Sequence, residues 1–234
     1  MGDFKIDPPR QLPLDLGHGT GYSRDDLVVS GTNSQAVALV DRWPDWPSAV
    51  VVLAGPAGSG KTHLASIWRS RANAVAVEAR HIGDCIATLG SRPAAIDDVD
   101  TGVIDEQGLF HLINAVRGAN SQLLLTARRF PSAWGVALPD LASRLKAAAT
   151  VEIHEPDDLL LAGVITKLFA DRQVEVEPHV VQYLVRRIER SLATAMRVVE
   201  RLDRTALERK TPITRALAAE TVSAMDEGQG EFEV

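Results

Sequence analysis

Apolar residues along the chain follow two rhythms, and the change from one to the other divides it. Continuous apolar runs recur at residues 49–54, 74–77, 94–96 and 122–126, with a weaker one at 150–153. Runs of that length mark strands buried on both faces, as in a parallel sheet. Helical spacing lies between them, at residues 63–71, 107–116 and 140–148, and a shorter stretch at 34–43 is closed by Pro44 and Pro47. Strands alternating with helices predict an α/β domain with a parallel, three-layer sheet.

After about Glu155 the strand signal stops and only the helical period continues. Pro156, Asp157 and Asp158 start a helix over residues 157–171, with Leu160, Leu161, Val164, Ile165 and Leu168 at helical spacing. Pro178 suits the first turn of a second helix reaching about Ile188. Ser191 can cap a third that carries Leu192, Ala195, Met196, Val199 and Leu202 on one face, and Thr214 a fourth ending near Met225. Residues 1–21, rich in Pro and Gly, read as an extended arm. Residues 226–234 carry four acids and no base and are expected to be disordered. The predicted layout is an arm at 1–21, an α/β domain at 22–155, a small helical domain at 156–225 and an acidic tail.

Composition narrows the class of protein. With 45% hydrophobic residues, the 234-residue chain can build a sizeable core, and its net charge of −6 argues against bulk binding of polyanions. One cysteine, Cys85, excludes an internal disulfide framework. Neither a secretory signal nor an apolar run near the roughly 18 residues of a membrane span is present, so a soluble, cytoplasmic protein is expected.

The strongest chemical signal is Gly55-Pro56-Ala57-Gly58-Ser59-Gly60-Lys61-Thr62, which fills every fixed position of G-x-x-x-x-G-K-[ST]. A strand precedes it and a helix follows, the context in which converging backbone N–H groups cradle a polyphosphate. The ligand would be ADP or ATP; Lys61 would reach the β-phosphate and, in ATP, bridge it to the γ-phosphate, and the Thr62 hydroxyl would hold Mg²⁺. A short strand ending in Asp97 and Asp98 supplies the expected acids: Asp97 as Mg²⁺ ligand, Asp98 to orient or deprotonate the attacking water. At the next strand end, Thr126 and Arg128 stand where a γ-phosphate sensor would sit, and Arg144 lies on a short helix before the last strand.

These motifs resemble the AAA+ ATPases, in particular the replication-initiator branch containing DnaA, and within it the Hda-type regulators that inactivate DnaA. Gly55 to Thr62 with His63-Leu64 looks like the initiator Walker A, and Ile96-Asp97-Asp98 like its Walker B. Phe110-His111 with Asn114-Ala115 is similar to the helix after it. The segment from Pro139 to Leu145 is similar to the regulators' arginine-finger box, which places the finger on Arg144. The resemblance implies a P-loop AAA+ domain followed by an all-helical lid, with sensor 2 falling near Ala193, where Arg190 and Arg197 are the neighbouring cations. Sensor 1 aligns with Arg128, leaving Thr126 as the nearer hydroxyl. Both departures imply weak hydrolysis by this chain itself. The chain ends where an initiator's helix-turn-helix domain would begin, which favours a regulator.

Gln11-Leu12-Pro13-Leu14-Asp15-Leu16 resembles the hexapeptide that docks such regulators on the DNA sliding clamp, the β subunit of polymerase III. Physically it is a Pro-stiffened strand whose Gln11 amide can hydrogen-bond while Leu14 and Leu16 enter apolar pockets, with Leu12 as a third exposed leucine of the motif. The implied partners are the clamp and DnaA, with room for a homodimer, and no membrane or sequence-specific DNA contact. A DNA-acting ATPase of the helicase-loading or initiator type is the second reading and needs the same Walker residues. Arg197, Arg201 and Arg204 are interleaved with Glu200 and Asp203 and read as a solvated face. The six histidines show no metal-ligand spacing, and the four tryptophans read as packing residues.

Overall fold

Five short strands, all parallel, form one sheet in the order β2-β3-β4-β1-β5 in the computed structural model, which describes Arg24 and residues 27–229. The strands are β1 (Val50–Ala54), β2 (Val75–Ala76), β3 (Ala94–Ile96), β4 (Leu123–Ala127) and β5 (Ala149–Glu152). Central β1 pairs with β4 from Val50↔Leu123 to Ala54↔Ala127 and with β5 from Val51↔Ala149 to Ala54↔Glu152. Every residue of β1, β3 and β4 is buried, which is why these strands read as unbroken apolar runs.

Alternate side chains of each strand feed opposite layers. Val50, Val52, Ile96, Leu123 and Leu125 join one core with α3 (Ile82–Leu89), α4 (Glu106–Gly118) and α5 (Pro139–Lys146). Val51, Leu53, Ala95 and Leu124 join the other with α1 (Ser34–Asp41) and α2 (Lys61–Ala72), where Trp68 is fully buried and stacks on Trp46 at 4.9 Å. The predicted three layers are therefore present.

The lid has its own core, built from α6 (Asp158–Asp171), α7 (Pro178–Arg187), α8 (Leu192–Arg209) and α9 (Arg215–Gln229). Its helix starts obey their sequence signals. The Asp157 carboxylate accepts from the Leu160 N–H at 2.7 Å, the Ser191 hydroxyl from the Thr194 N–H at 3.3 Å, and the Thr214 hydroxyl from the Leu217 N–H at 3.3 Å. Pro178 occupies the first turn of α7.

Two expectations change. Helix α9 continues to Gln229, so residues 226–229 of the expected disordered tail are helical. Helix α3 was not foreseen; it has eight residues, and only Ile82 and Leu89 at its ends are buried. The arm at residues 1–21 and the last residues of the tail lie outside the described region.

Candidate nucleotide site

All the sequence-predicted phosphate and metal residues meet at the carboxyl edge of the sheet. Gly55 to Gly60 follow β1, Asp97 and Asp98 follow β3, and Thr126 lies near the end of β4. Because β4 separates β3 from β1 in the sheet, the crossover leaves a crevice above these ends, the usual ligand position in open α/β sheets.

At two of its glycines the loop has no room for a side chain. A Cβ on Gly55 would strike the Ile153 carbonyl oxygen, and one on Gly58 would strike the Ser191 side chain. Gly58 and Gly60 take φ of +73° and +96°, a left-handed region that favours glycine. Lys61 is buried, and its ammonium donates to the carbonyls of Gly55 at 2.8 Å and Pro56 at 2.7 Å. Burial pushes its pKa below the ordinary lysine range, against the opposing pull of Asp98 and Asp97. The Ser59 hydroxyl is buried with no hydrogen-bond partner among the described residues. These are the marks of a cradle shaped for an anion.

Metal chemistry fits the same place. The Thr62 hydroxyl donates to Asp97 Oδ2 at 2.9 Å, so an oxygen pair suited to a hard cation is already assembled. Among the described residues no cluster of three or more His, Cys, Asp or Glu side chains could hold a metal. A divalent ion here would complete its shell with water and phosphate oxygens, as nucleotide-bound Mg²⁺ does.

Beyond the loop a cavity of about 310 Å³ opens between the two domains. Leu27 and Val28 wall it on one side, Leu160, Val164 and Leu168 of α6 on another, and Leu192, Ala193 and Met196 of α8 complete it. An apolar slot ending in a phosphate cradle is the shape a nucleotide requires.

The comparisons with known proteins agree. Residues 164–220 match the Hda lid-domain family. The chain is 22% identical over 225 residues to the chromosomal replication initiator DnaA of Cutibacterium acnes, covering 84% of this chain and 45% of that protein. It is 25% identical over 237 residues to DnaA of Thermomicrobium roseum, covering 88% and 50%. The chain thus spans about half the length of these DnaA relatives. In structure it resembles domain III of Thermotoga maritima DnaA, with a TM-score of 0.74 at 16% identity, covering 87% of this chain and 96% of that one. The chain has the AAA+ fold of DnaA domain III and is similar to the DnaA/Hda branch, with an Hda-type lid over residues 164–220. AMPPCP-bound DnaA from Aquifex aeolicus shares the fold too, with a TM-score of 0.64 at 20% identity and coverage of 81% and 68%.

Within this site the candidate sensors behave differently from the Walker residues. Thr126 is fully buried; its hydroxyl donates to Asp97 Oδ1 at 2.5 Å and accepts from the Asp98 N–H at 2.7 Å. With its one hydroxyl hydrogen on Asp97, Thr126 acts on the site by orienting that carboxylate. Asp98 lines the cavity and is held at a φ of +48°, a strained conformation for a non-glycine residue. Arg128 and Arg129 give their backbone N–H groups to the buried Asp100, at 2.8 and 3.0 Å, and the exposed Arg128 side chain lies close enough to depress the Lys61 pKa.

Ala193 lines the cavity where an AAA+ lid arginine was expected, and neither neighbouring arginine takes its place there. Arg190 donates to Asp158 Oδ1 at 2.7 Å and to the Pro156 carbonyl at 3.2 Å, while Arg197 donates to the Thr194 hydroxyl at 3.0 Å. The lid lysine that does line the cavity is Lys167 of α6, which bonds Asp171 at 2.9 Å. Its spacing from Leu160 and Val164 on one helical face is the sequence signal that could have found it.

Arg144 lies elsewhere. It is half-buried in a separate cleft of about 380 Å³ lined by Phe110, Arg117, Asp140, Ser143, Arg144 and Ala147, with no residue in common with the nucleotide cavity. Among the described residues its guanidinium has no hydrogen-bond or ion-pair partner. Glu106 braces the start of its helix, accepting from the N–H groups of Ala137 at 2.9 Å and Leu138 at 2.7 Å. The clamp-like residues Gln11, Leu12, Leu14 and Leu16 lie outside the described residues.

Proposed function

We propose that this chain is a nucleotide-binding adaptor that docks on the DNA sliding clamp and stimulates ATP hydrolysis by DnaA, restraining replication initiation. Its arm seats Gln11, Leu12, Leu14 and Leu16 on the clamp. Burying such leucines contributes on the order of 3–5 kcal/mol before ordering costs, a micromolar contact that several identical clamp pockets reinforce by avidity. The protein works in the cytoplasm.

Its own site holds ADP or ATP. Gly55, Pro56, Ala57, Gly58, Ser59 and Gly60 present the phosphate-binding backbone, and Lys61 turns from its loop carbonyls to the phosphates. Thr62 and Asp97 would hold Mg²⁺, which when bound neutralises charge between phosphate oxygens. Asp98 orients water, and Thr126 keeps Asp97 in register. Turnover at this site is slow, because Arg190 and Arg197 are engaged elsewhere in the lid. The nucleotide then serves chiefly to fix the arrangement of lid and base.

Arg144 does its work in trans. The observation that supports this most is a half-buried guanidinium without a partner among the described residues, in a cleft apart from the chain's own cavity. Inserted into the ATP site of DnaA, it neutralises charge on the transferring phosphoryl group, an effect worth roughly 10³–10⁵ in rate where arginine fingers act. A second copy of this chain presents a similar P-loop site, so a homodimer is the competing pairing.

Arg144→Ala is the test. The variant should bind ADP and be captured by the DNA-loaded clamp as wild type does, yet lose stimulation of DnaA hydrolysis. Undiminished stimulation overturns the assignment.

A further inference from the structure

The cleft around Arg144 holds a second cation that no role yet accounts for. Arg117 sits one residue before the end of α4 and is exposed. Like Arg144, it has no side-chain hydrogen-bond or ion-pair partner among the described residues. Arg42, Arg80, Arg128, Arg186 and Arg201 are also exposed without such a side-chain partner among the described residues, but of these unpaired arginines Arg117 is the one that lines the cleft with Arg144. Two unpaired guanidiniums lining one cleft make a locally positive feature on a chain whose net charge is −6.

The other lining groups narrow the occupant. Asp140 lies in the first turn of α5 and repels small free anions from the same cleft. Phe110, half-buried, and Ala147 add apolar surface, so the cleft suits a protein edge better than a lone phosphate. The edge that a finger arginine must approach is itself acidic. In this chain the phosphate site has Asp97 exposed and Asp98 half-buried, since a metal-nucleotide site of this type requires such carboxylates.

We infer that Arg117 is a docking cation for a carboxylate at the rim of a neighbouring P-loop subunit's phosphate site, a positioning residue that seats Arg144 against that subunit's nucleotide. The inference rests on the trans-acting role of Arg144. Arg117 contributes to affinity and to the rate of encounter, as rim charges do, and not to the rate within the assembled pair.

The experiment titrates wild-type and variant protein, with DNA-loaded clamp, against ATP-loaded DnaA and follows phosphate release. Arg117→Ala should raise the concentration for half-maximal stimulation roughly tenfold while leaving the maximal rate unchanged. Arg117→Lys, which keeps the charge, should recover most of that loss. Arg144→Ala should lower the maximal rate instead. Unchanged ADP affinity verifies that the Arg117 variants fold. An unchanged half-maximal concentration for Arg117→Ala overturns the inference, as does a lower maximal rate or equal loss with Lys and Ala. Retained stimulation by Arg144→Ala overturns the finger role itself, and the docking role falls with it. Inorganic phosphate that competes with DnaA for wild type but not for Arg117→Ala would make the cleft a free-anion site and also overturn the inference.

Discussion

Leu192 gives its backbone N–H to the Gly58 carbonyl at 2.8 Å, so the longest lid helix begins on the phosphate loop. The preceding residue, Ser191, packs its side chain against Gly58 where a Cβ would stand. Loop and lid therefore meet at one glycine, and whatever reshapes the loop also shifts the base of α8.

Gly58→Ala should break that junction. The left-handed φ alone costs a non-glycine residue about 1–2 kcal/mol, and the added methyl also displaces Ser191. Calorimetry should show a large loss of ADP affinity together with a lower Tm. An alanine variant that binds and melts as wild type does would mean that the lid is not seated on the loop.

Thr126→Val is a near-isosteric probe of the acid pair. It leaves the Asp98 N–H without its hydroxyl acceptor and frees Asp97, so destabilisation of about 1–3 kcal/mol is expected. The Mg²⁺-dependent part of nucleotide affinity should fall with it. Thr126→Ser should retain both. If Val and Ser behave alike in a Mg²⁺ titration, the hydroxyl does not position Asp97.

Lys61 gives the site a pH dependence of definite sign. In the free protein burial lowers its pKa, whereas a bound polyphosphate favours the charged form and raises it. Affinity for ADP is then full below the free-state pKa and declines as pH rises between the free and bound values, with proton uptake on binding in that window. Calorimetry in two buffers of different ionisation enthalpy measures the uptake. Proton release, or affinity rising with alkalinity, would contradict it.

The arm makes a prediction independent of the nucleotide site. Leu14→Ala with Leu16→Ala should abolish capture by immobilised clamp while ADP affinity stays at the wild-type value. Full capture by the double variant would return the DNA-acting ATPase to first place, and DNA binding with a steep salt dependence but no clamp would be its signature.

Some of the molecule could be read directly along the chain. β1, β3 and β4 are covered on both faces, so burial left an unbroken apolar run in each, and Asp157, Ser191 and Thr214 cap through their own neighbours' N–H groups. The Walker loop was legible for the same reason: a tight phosphate cradle needs glycines and a lysine at fixed spacing. Helix α3 was not, because eight residues including Gly83, with only the two end residues buried, carry too short an apolar period. Nor did local pattern show that α9 runs past Met225 through acidic residues.

What local spacing determines ends with contacts between residues a few positions apart. Only the folded chain brought Thr126 onto Asp97 across 29 positions, set Ser191 against Gly58, tied Arg190 to Asp158 and placed Arg144 and Arg117 in one cleft, unpaired among the described residues. Those relationships depend on strand order and on how α8 meets the loop. A hydroxyl or guanidinium has the same chemistry in any sequence context, and its role is decided by which partner the tertiary packing places within reach.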